Sequence, residues 1–168
     1  MKIGRITISD RASAGIYEDR SGPEIEAVLR EVFGADAKFV AVIIPDEQEK
    51  ISSELRKLAD EEDCDLIVTT GGTGVSARDV TPEATRAVLQ KELPGFGEAM
   101  RMQSLAKVKT AILSRAVAGT RGKSLIVNLP GKPTAVRECL EILSPAIREG
   151  VAHLRGKDPH QPPAQECR

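Results

Sequence analysis

Short apolar runs alternate along the chain with stretches in which apolar residues recur at helical spacing. The runs at residues 2–9, 38–44 and 64–70 are rich in branched apolar side chains and predict three strands. Residues 21–34 and the segment after Asp46 place apolar residues on one face and predict helices. Because strands that alternate with helices imply a mostly parallel sheet, we expect a three-layer α/β/α fold.

The second half of the chain adds helices and a hairpin to this pattern. Residues 82–90 and 98–106 predict helices separated by a break at 92–97, and a last helix extends from Thr134 towards Leu154. Two strand-like runs, at 113–118 and 124–128, have a glycine-containing connection that favours a hairpin. We therefore expect a single domain at residues 1–154, followed by a disordered, polar, proline-rich tail at residues 155–168.

Local sequence also assigns a cap to three of the helices. Ser21 and Glu24 have the spacing of a capping box, and Asp46 stands just before the second helix. Thr81 precedes Pro82, a residue that suits the first helical position. The polar segment at residues 10–20 has no helical pattern, so we expect it to be a long loop.

A glycine-rich loop follows the third strand and is the most informative stretch of the chain. Gly71, Gly72 and Gly74 surround Thr73, and free N–H groups there and at the next helix would favour a phosphate-bearing ligand. A simple tight turn is one alternative. A dinucleotide-binding fingerprint is another, although that motif needs a helix that opens within it, and here the helix begins only near residue 81.

Loops that follow parallel strands meet at one edge of the sheet, where ligands bind in such folds. The loops after the first three strands carry Ser9, Asp10, Asp46 and the glycine loop. We therefore expect these residues to converge on one site.

Composition narrows the classes of function. The net charge of −1 and the four aromatic residues disfavour nucleic-acid binding. Three cysteines without a CxxC pair argue against a disulfide framework or zinc site, and Cys64 and Cys139 fit buried thiols. The two histidines lie near the C-terminus, so a histidine-based catalytic triad is disfavoured. No stretch predicts a membrane span or signal peptide, and we expect a cytoplasmic protein.

The remaining polar residues suit a polyphosphate bound with Mg²⁺, because magnesium prefers carboxylate and phosphate oxygens. The carboxylates are Asp46 and Asp79, and hydroxyls and cations are provided by Ser9, Thr73, Ser104, Ser114, Arg78, Arg101, Arg115 and Lys132. Each has a plainer interpretation. Asp46 could cap its helix and Asp79 could pair with Arg78, whereas Ser114 and Arg115 could be exposed strand residues and Asn128 could shape its turn.

These motifs, in this order, resemble the MogA-type molybdopterin adenylyltransferases over residues 3–150. The resemblance is carried by Ile8–Ser13, Ser21–Pro23, Ile44–Glu47, Thr69–Thr85, Leu93–Glu98, Leu113–Arg115 and Asn128–Gly131. It implies transfer of AMP from Mg-ATP to the terminal phosphate of molybdopterin, with release of pyrophosphate. It also implies a homotrimer and possible hand-over of the product to a MoeA-type metal-insertion protein.

The resemblance further implies roles for individual residues. Asp46 and Asp79 would serve the metal and the reaction, and the glycine loop would hold a phosphate. The expected substrate contacts are Ser9, Asp10, Gly71, Gly72, Thr73, Gly74, Ser104, Ser114, Arg115, Asn128, Pro130 and Gly131. Two other functions stay open: a MoaB-like protein that binds molybdopterin without adenylyl transfer, and an oligomeric scaffold of the pathway.

Overall fold

The computed structural model describes residues 1–157, so most of the predicted tail, residues 158–168, lies outside the described residues. Strands and helices alternate through most of the chain. The strands are β1 (Lys2–Ile8), β2 (Lys38–Ile44), β3 (Leu66–Thr70), β4 (Lys91–Glu92), β5 (Ala118–Arg121) and β6 (Ser124–Leu129). The helices are α1 (Asp10–Ser13), α2 (Ser21–Phe33), α3 (Gln48–Arg56), α4 (Thr81–Arg86), α5 (Pro94–Leu105) and α6 (Pro133–Leu154). A π-helical turn, Lys57–Glu61, extends α3, and a 3₁₀ turn, Lys109–Leu113, follows α5.

One sheet of six strands, in the order β2-β1-β3-β6-β5-β4, forms the middle layer. The first four strands in that order pair in parallel, whereas β5 and β4 pair antiparallel. The expected hairpin is formed by β5 and β6, whose pairing runs from Ala118 opposite Val127 to Arg121 opposite Ser124. The carboxyl ends of the four parallel strands therefore lie along one edge of the sheet.

Alternating side chains of the buried strands point to opposite faces and build two cores. On one face, Leu66 and Val68 of β3 pack in a cluster with residues of α2, α5 and α6. On the other face, Ile67 packs in a cluster with residues of α3 and α4. Helices thus cover both faces of a mostly parallel sheet, and the predicted three-layer fold is confirmed.

Three local predictions about the elements are wrong. The segment at residues 10–20 is not loop throughout, because Ser9 caps the short helix α1 by accepting a hydrogen bond from the Ala12 N–H. Residues 109–113 form a 3₁₀ turn, so β5 begins only at Ala118. The helix predicted at 98–106 begins earlier, at Pro94, since proline at the first position matches the helical φ.

The caps predicted at Ser21, Asp46 and Thr81 are also wrong, because each of these side chains hydrogen-bonds outside its own helix. The Ser21 hydroxyl donates to the Gly131 carbonyl at 2.7 Å instead of capping α2. The first turn of α2 is held by Asp19, whose carboxylate accepts from the Gly22 N–H at 2.9 Å.

None of the helices within residues 1–157 is long and apolar enough to cross a membrane.

Candidate active site

A cavity of about 310 Å³ lies at the carboxyl edge of the sheet. It is bounded by the ends of β1 and β3, the loop after β2 and the loop after β6. Six of the residues expected at the site line this cavity: Ser9, Asp46, Gly71, Gly72, Asp79 and Gly131. The convergence expected from the parallel strand order is therefore present in the structure.

The glycine loop is folded tightly against the end of β1. Gly71 has φ of +99°, and a Cβ atom at this position would collide with the Ile8 carbonyl, so only glycine fits there. The Thr81 hydroxyl donates to the Gly71 carbonyl at 2.9 Å, and the Thr81 N–H donates to the Gly72 carbonyl at 3.1 Å. Thr81 is the first residue of α4 rather than its side-chain cap, because its hydroxyl holds the loop instead.

Arg115 holds the same loop through three partners. Its guanidinium donates to the Gly74 carbonyl and to the Asp79 carbonyl, both at 2.6 Å, and it forms an ion pair with Glu83. Although burial opposes it, the hydrogen bond from Arg115 helps to lower the pKa of Glu83. The backbone N–H of Arg115 also donates to Thr73, a buried residue. In this structure Arg115 therefore binds the loop that lines the cavity rather than lining the cavity itself.

Asp46, which lines the cavity, and Asp10 each accept a hydrogen bond from the backbone N–H of the other. The Asp46 carboxylate accepts from the Asp10 N–H at 2.8 Å, and the Asp10 carboxylate accepts from the Asp46 N–H at 3.1 Å. The local interpretation of Asp46 as a helix cap is wrong, since α3 begins at Gln48 without a side-chain cap. Burial raises the pKa of Asp46, and the nearby charges of Asp10 and Asp79 add to this increase.

Arg78 crosses from the glycine loop to Asp10. Its guanidinium donates two hydrogen bonds to the Asp10 carboxylate, at 3.0 and 2.7 Å, and these lower the pKa of Asp10. The suggested pairing of Asp79 with Arg78 is therefore wrong. Asp79 instead accepts from the Ser76 N–H at 2.8 Å, a short-range bond that shapes the loop and leaves Asp79 on the cavity wall.

The acids at the cavity suit a cation whose remaining ligands come from the substrate. Within residues 1–157, no group of three or more His, Cys, Asp or Glu side chains is arranged to hold a metal by itself. Two of the acids that line the cavity, Asp46 and Asp79, make no ion pair with a basic side chain in the described part of the chain, and Asp46 is partly desolvated. One or two carboxylates with phosphate oxygens and water are the usual ligands of Mg²⁺, so this donor set fits magnesium bound together with a phosphate.

Asn128 lies beneath the site and does not line the cavity. It is completely buried, and its amide donates to the Thr69 and Thr85 hydroxyls, both at 3.0 Å, and accepts from the Val117 N–H at 3.3 Å. The Thr85 hydroxyl in turn donates to Thr81, the residue that holds Gly71. Asn128 therefore supports the glycine loop through a chain of hydrogen bonds. The interpretation that Asn128 only shapes its own turn is wrong, because its side chain bonds to Thr69, Thr85 and Val117 instead.

Four other expected contacts also lie outside the lining of this cavity. Pro130 accepts at its carbonyl from the Thr70 hydroxyl at 2.7 Å, which joins β3 to the loop after β6. Ser104 lies on α5 beside the buried Cys139 thiol, whose pKa is raised by burial, an effect that a hydrogen bond with Ser104 opposes. Ser114 is half-buried just after the 3₁₀ turn, and Gly74 is half-buried in the glycine loop. Neither Ser104 nor Ser114 is among the residues that line the cavity, so their substrate contacts stay predictions.

A buried ionic network under the cavity was missed by the sequence analysis. Asp19, which lines the cavity, accepts from the Arg5 guanidinium at 2.9 Å and from the Thr7 hydroxyl at 2.7 Å. The side chains of Asp19 and Arg5 are only 7% and 12% exposed. The sequence signal for this network is Arg5, because a charged residue in the middle of an apolar strand needs a partner of opposite charge. The sequence does not show where along the chain that partner lies.

Comparison with known proteins places this chain in a family. Residues 4–149 match the family described as a probable molybdopterin binding domain. The chain is 59% identical over 145 residues to a molybdopterin adenylyltransferase of Helicobacter pylori, covering 86% of this chain and 82% of that relative. It is 48% identical over 153 residues to the molybdopterin adenylyltransferase of Escherichia coli, covering 91% of this chain and 78% of the relative.

A solved structure has the same fold. The molybdopterin biosynthesis enzyme MoaB of Thermus thermophilus superposes with a TM-score of 0.84 at 43% identity. The match covers 93% of this chain and 97% of the other.

Proposed function

Since the chain belongs to the family of molybdopterin-binding domains, we propose that it acts as a molybdopterin adenylyltransferase in molybdenum cofactor biosynthesis. It transfers AMP from Mg-ATP to the terminal phosphate of molybdopterin and releases pyrophosphate. One structural observation carries this proposal: Asp46 and Asp79 line the same cavity as Gly71 and Gly72 of the glycine loop, at the carboxyl edge of the sheet.

The glycine loop and the two acids have complementary tasks. Gly71 and Gly72 line the cavity, where the backbone N–H groups of the glycine loop would bind a phosphate. The start of α4 contributes little to this, because the Thr81 N–H donates to the Gly72 carbonyl and Pro82 has no N–H. Asp46 and Asp79 are the residues that would hold Mg²⁺ together with the phosphates. When bound, the ion would neutralise phosphate oxygens that otherwise repel one another. Because ionised Asp46 is partly buried and lies near Asp10 and Asp79, binding a cation there also relieves repulsion among these acids.

The chemical step needs alignment more than proton transfer. The attacking group is a phosphate oxygen of molybdopterin, and a phosphate is already ionised near neutral pH. A general base is therefore unnecessary, which agrees with a described cavity lining that contains no histidine. The α-phosphorus of ATP accepts this oxygen while its bond to the pyrophosphate oxygen breaks. The residues of the cavity bind the two anions and hold them in line, which is the main task in such transfers.

Release of pyrophosphate tests the proposal. Purified protein with molybdopterin and Mg-ATP should release pyrophosphate, and omission of either molybdopterin or Mg²⁺ should stop the release. The Asp46→Asn and Asp79→Asn variants should each lower the rate about 100-fold or more, by analogy with the loss of an electrostatic stabiliser. A matched control, Asp36→Asn, changes an exposed acid outside the cavity lining and should leave the rate unchanged. Near-normal rates in both cavity variants would remove the assigned role of these acids.

A second candidate is a protein that binds molybdopterin without adenylyl transfer. Its basis is the resemblance to MoaB-type proteins, one of which, the molybdopterin biosynthesis enzyme MoaB of Thermus thermophilus, is 43% identical to this chain. Tight binding of molybdopterin with no pyrophosphate release would support this candidate and leave the cavity assignment intact. A pathway scaffold without catalysis would need neither molybdopterin turnover nor Mg-ATP binding.

We extend the proposal to assembly, because an apolar surface borders α5. It consists of Met102, Val108, Ile112 and Leu113, which are 75%, 52%, 63% and 51% exposed. Apolar side chains grouped on a surface favour association. Since the resemblance to the MogA-type family implies a homotrimer, we propose that three copies associate through this surface. Sedimentation should give three times the chain mass for the parent and a smaller species for Leu113→Asp, and a parent that sediments as a single chain would contradict this.

The proposal also covers the compartment, the substrates and the protein that receives the product. The reaction takes place in the cytoplasm, with ATP and molybdopterin as the substrates. Buried free thiols at Cys64 and Cys139 agree with a reducing compartment. The adenylylated product then passes to a MoeA-type protein that inserts the metal.

A further inference from the structure

An exposed aromatic ring lies on the wall of the cavity without an assigned task. Tyr17 lines the cavity and is 49% exposed. It is the only tyrosine of the chain, which has no tryptophan. The three phenylalanines, Phe33, Phe39 and Phe96, are instead packed against the core. Tyr17 is therefore the one aromatic side chain among the residues that line the described cavity.

The chain holds this ring in place on the side of α1. After the helix, Gly15 adopts φ of +71°, a backbone conformation that reverses the chain. The N–H groups of Ile16 and Tyr17 then both donate to the Arg11 carbonyl, at 2.9 and 3.3 Å. The Arg11 guanidinium carbon lies 5.2 Å from the centre of the Tyr17 ring, a cation–π contact, and Arg11 also lines the cavity.

The chain is fixed again two residues beyond Tyr17. Asp19 is bound by the Arg5 guanidinium, the Thr7 hydroxyl and the Gly22 N–H, at 2.9, 2.7 and 2.9 Å. These partners belong to β1 and to the start of α2. The ring is thus presented at the cavity between two anchors, and little conformational freedom has to be lost when a ligand contacts it.

From this arrangement we propose that the Tyr17 ring, backed by Arg11, stacks on a planar fused-ring heterocycle of the substrate. The proposal rests on the proposed function, whose two substrates each carry such a ring, the adenine of ATP and the pterin of molybdopterin. The loop N–H groups, and a Mg²⁺ held by Asp46 and Asp79, would fix the anionic parts of a ligand but give no surface to a flat ring. A held aromatic side chain gives that surface, since every such heterocycle has a face on which an aromatic ring can stack.

Ligand affinities of Tyr17 variants test the proposal. Binding of Mg-ATP and of unsubstituted pterin would be measured by equilibrium dialysis, with Mg-tripolyphosphate as a probe that has the phosphates but no ring. Tyr17→Leu should weaken one of the two ring ligands about 5- to 150-fold, the range found for stacking on an aromatic side chain. Tyr17→Phe should retain the affinity, and tripolyphosphate should bind all three proteins equally.

The control is Phe39→Leu, because Phe39 also lies under a guanidinium, that of Arg30 at 4.7 Å, but away from the cavity. It should leave every affinity unchanged. The ring ligand that Tyr17→Leu weakens identifies which heterocycle stacks. Unchanged affinity for both ring ligands in Tyr17→Leu would overturn the stacking role while leaving the proposed function in place.

Intrinsic fluorescence gives a second, direct readout. Because the chain has one tyrosine and no tryptophan, its emission reports on Tyr17 alone. The stacking ligand should quench this emission with the same saturation curve that dialysis gives, and tripolyphosphate should not. Saturable ATP and pterin binding without quenching would contradict stacking. A parent protein that binds pterin but no Mg-ATP would contradict adenylyl transfer, and the pterin measurement would still decide the role of Tyr17.

Discussion

Removing the Asn128 side chain tests whether this residue supports the site or contacts the substrate. Asn128→Ala deletes three buried hydrogen bonds, two to threonine hydroxyls and one from the Val117 N–H. The side chain is completely buried, and Val117 is 4% exposed, so water cannot easily replace the lost partner. The substitution therefore leaves a buried N–H group without this acceptor and breaks the link through Thr85 to the glycine loop.

The magnitude follows from these contacts. Each of the three hydrogen bonds contributes about 1 kcal/mol, and an unsatisfied buried donor adds roughly 1–2 kcal/mol, so we expect a loss of roughly 4–5 kcal/mol in the free energy of unfolding. For a chain of this size, 1 kcal/mol corresponds to about 2–4 °C in Tm, so Tm should fall by roughly 8–20 °C. This change would be among the larger effects of a single substitution.

Thermal unfolding followed by circular dichroism measures this change, with Gln103→Ala as a matched control. Gln103 is an exposed amide on α5, and its removal should shift Tm by no more than about 2 °C. A variant Asn128→Ala with the parent Tm but without affinity for molybdopterin would refute the structural role. That result would restore Asn128 as a direct substrate contact.

Three further predictions concern charges around the cavity. Asp46→Asn keeps the acceptor for the Asp10 N–H but removes a carboxylate whose pKa is raised by burial. Ionisation of Asp46 opposes folding once the pH rises above its ordinary pKa, so at neutral pH the variant should have a Tm equal to or above that of the parent. Arg78→Gln removes the partner that lowers the pKa of Asp10. The Arg78–Asp10 ion pair stabilises the fold at pH values above the ordinary pKa of aspartate, and this stabilisation is lost as the pH falls through the lowered pKa of Asp10. The variant should therefore be less stable than the parent in urea at neutral pH and equally stable in acid. Arg115→Lys cannot make the same three contacts, and the resulting shift of the glycine loop should lower turnover roughly 100-fold.

Each of these predictions has a contrary result. A lower neutral-pH Tm in Asp46→Asn would show that the charge stabilises the fold. A difference between Arg78→Gln and the parent that persists in acid would place the effect outside the Asp10 carboxylate. Full turnover by Arg115→Lys would show that the loop keeps its geometry without a guanidinium.

The sheet could be predicted because its information is local. β3 and β6 are apolar runs buried on both faces, and the helices beside them carry an apolar stripe. Since parallel strands place their following loops on one edge, the meeting of Ser9, Asp46 and the glycine loop also followed from element order. The glycines themselves were informative because Gly71 occupies a conformation that other residues rarely adopt.

The detail of the site could not be predicted, because its polar side chains select partners far away in sequence. Ser21 had the spacing of a capping box, but its hydroxyl reaches Gly131, 110 residues away. Arg78 stands next to Asp79, yet it pairs with Asp10, 68 residues away. A local pattern shows which hydrogen bonds a residue is able to form nearby, whereas the packed fold decides which stronger partner replaces them.

The central claim is that this cavity transfers AMP, and a single-turnover experiment tests it most directly. Purified protein would be mixed with molybdopterin, Mg²⁺ and ATP labelled at the α-phosphate, and the label in the pterin product would be followed with time. Label should enter the pterin in the parent protein, and Asp46→Asn, still folded, should lose this transfer. Tight molybdopterin binding by the parent with no label in the pterin would contradict adenylyl transfer and identify the protein as a binder.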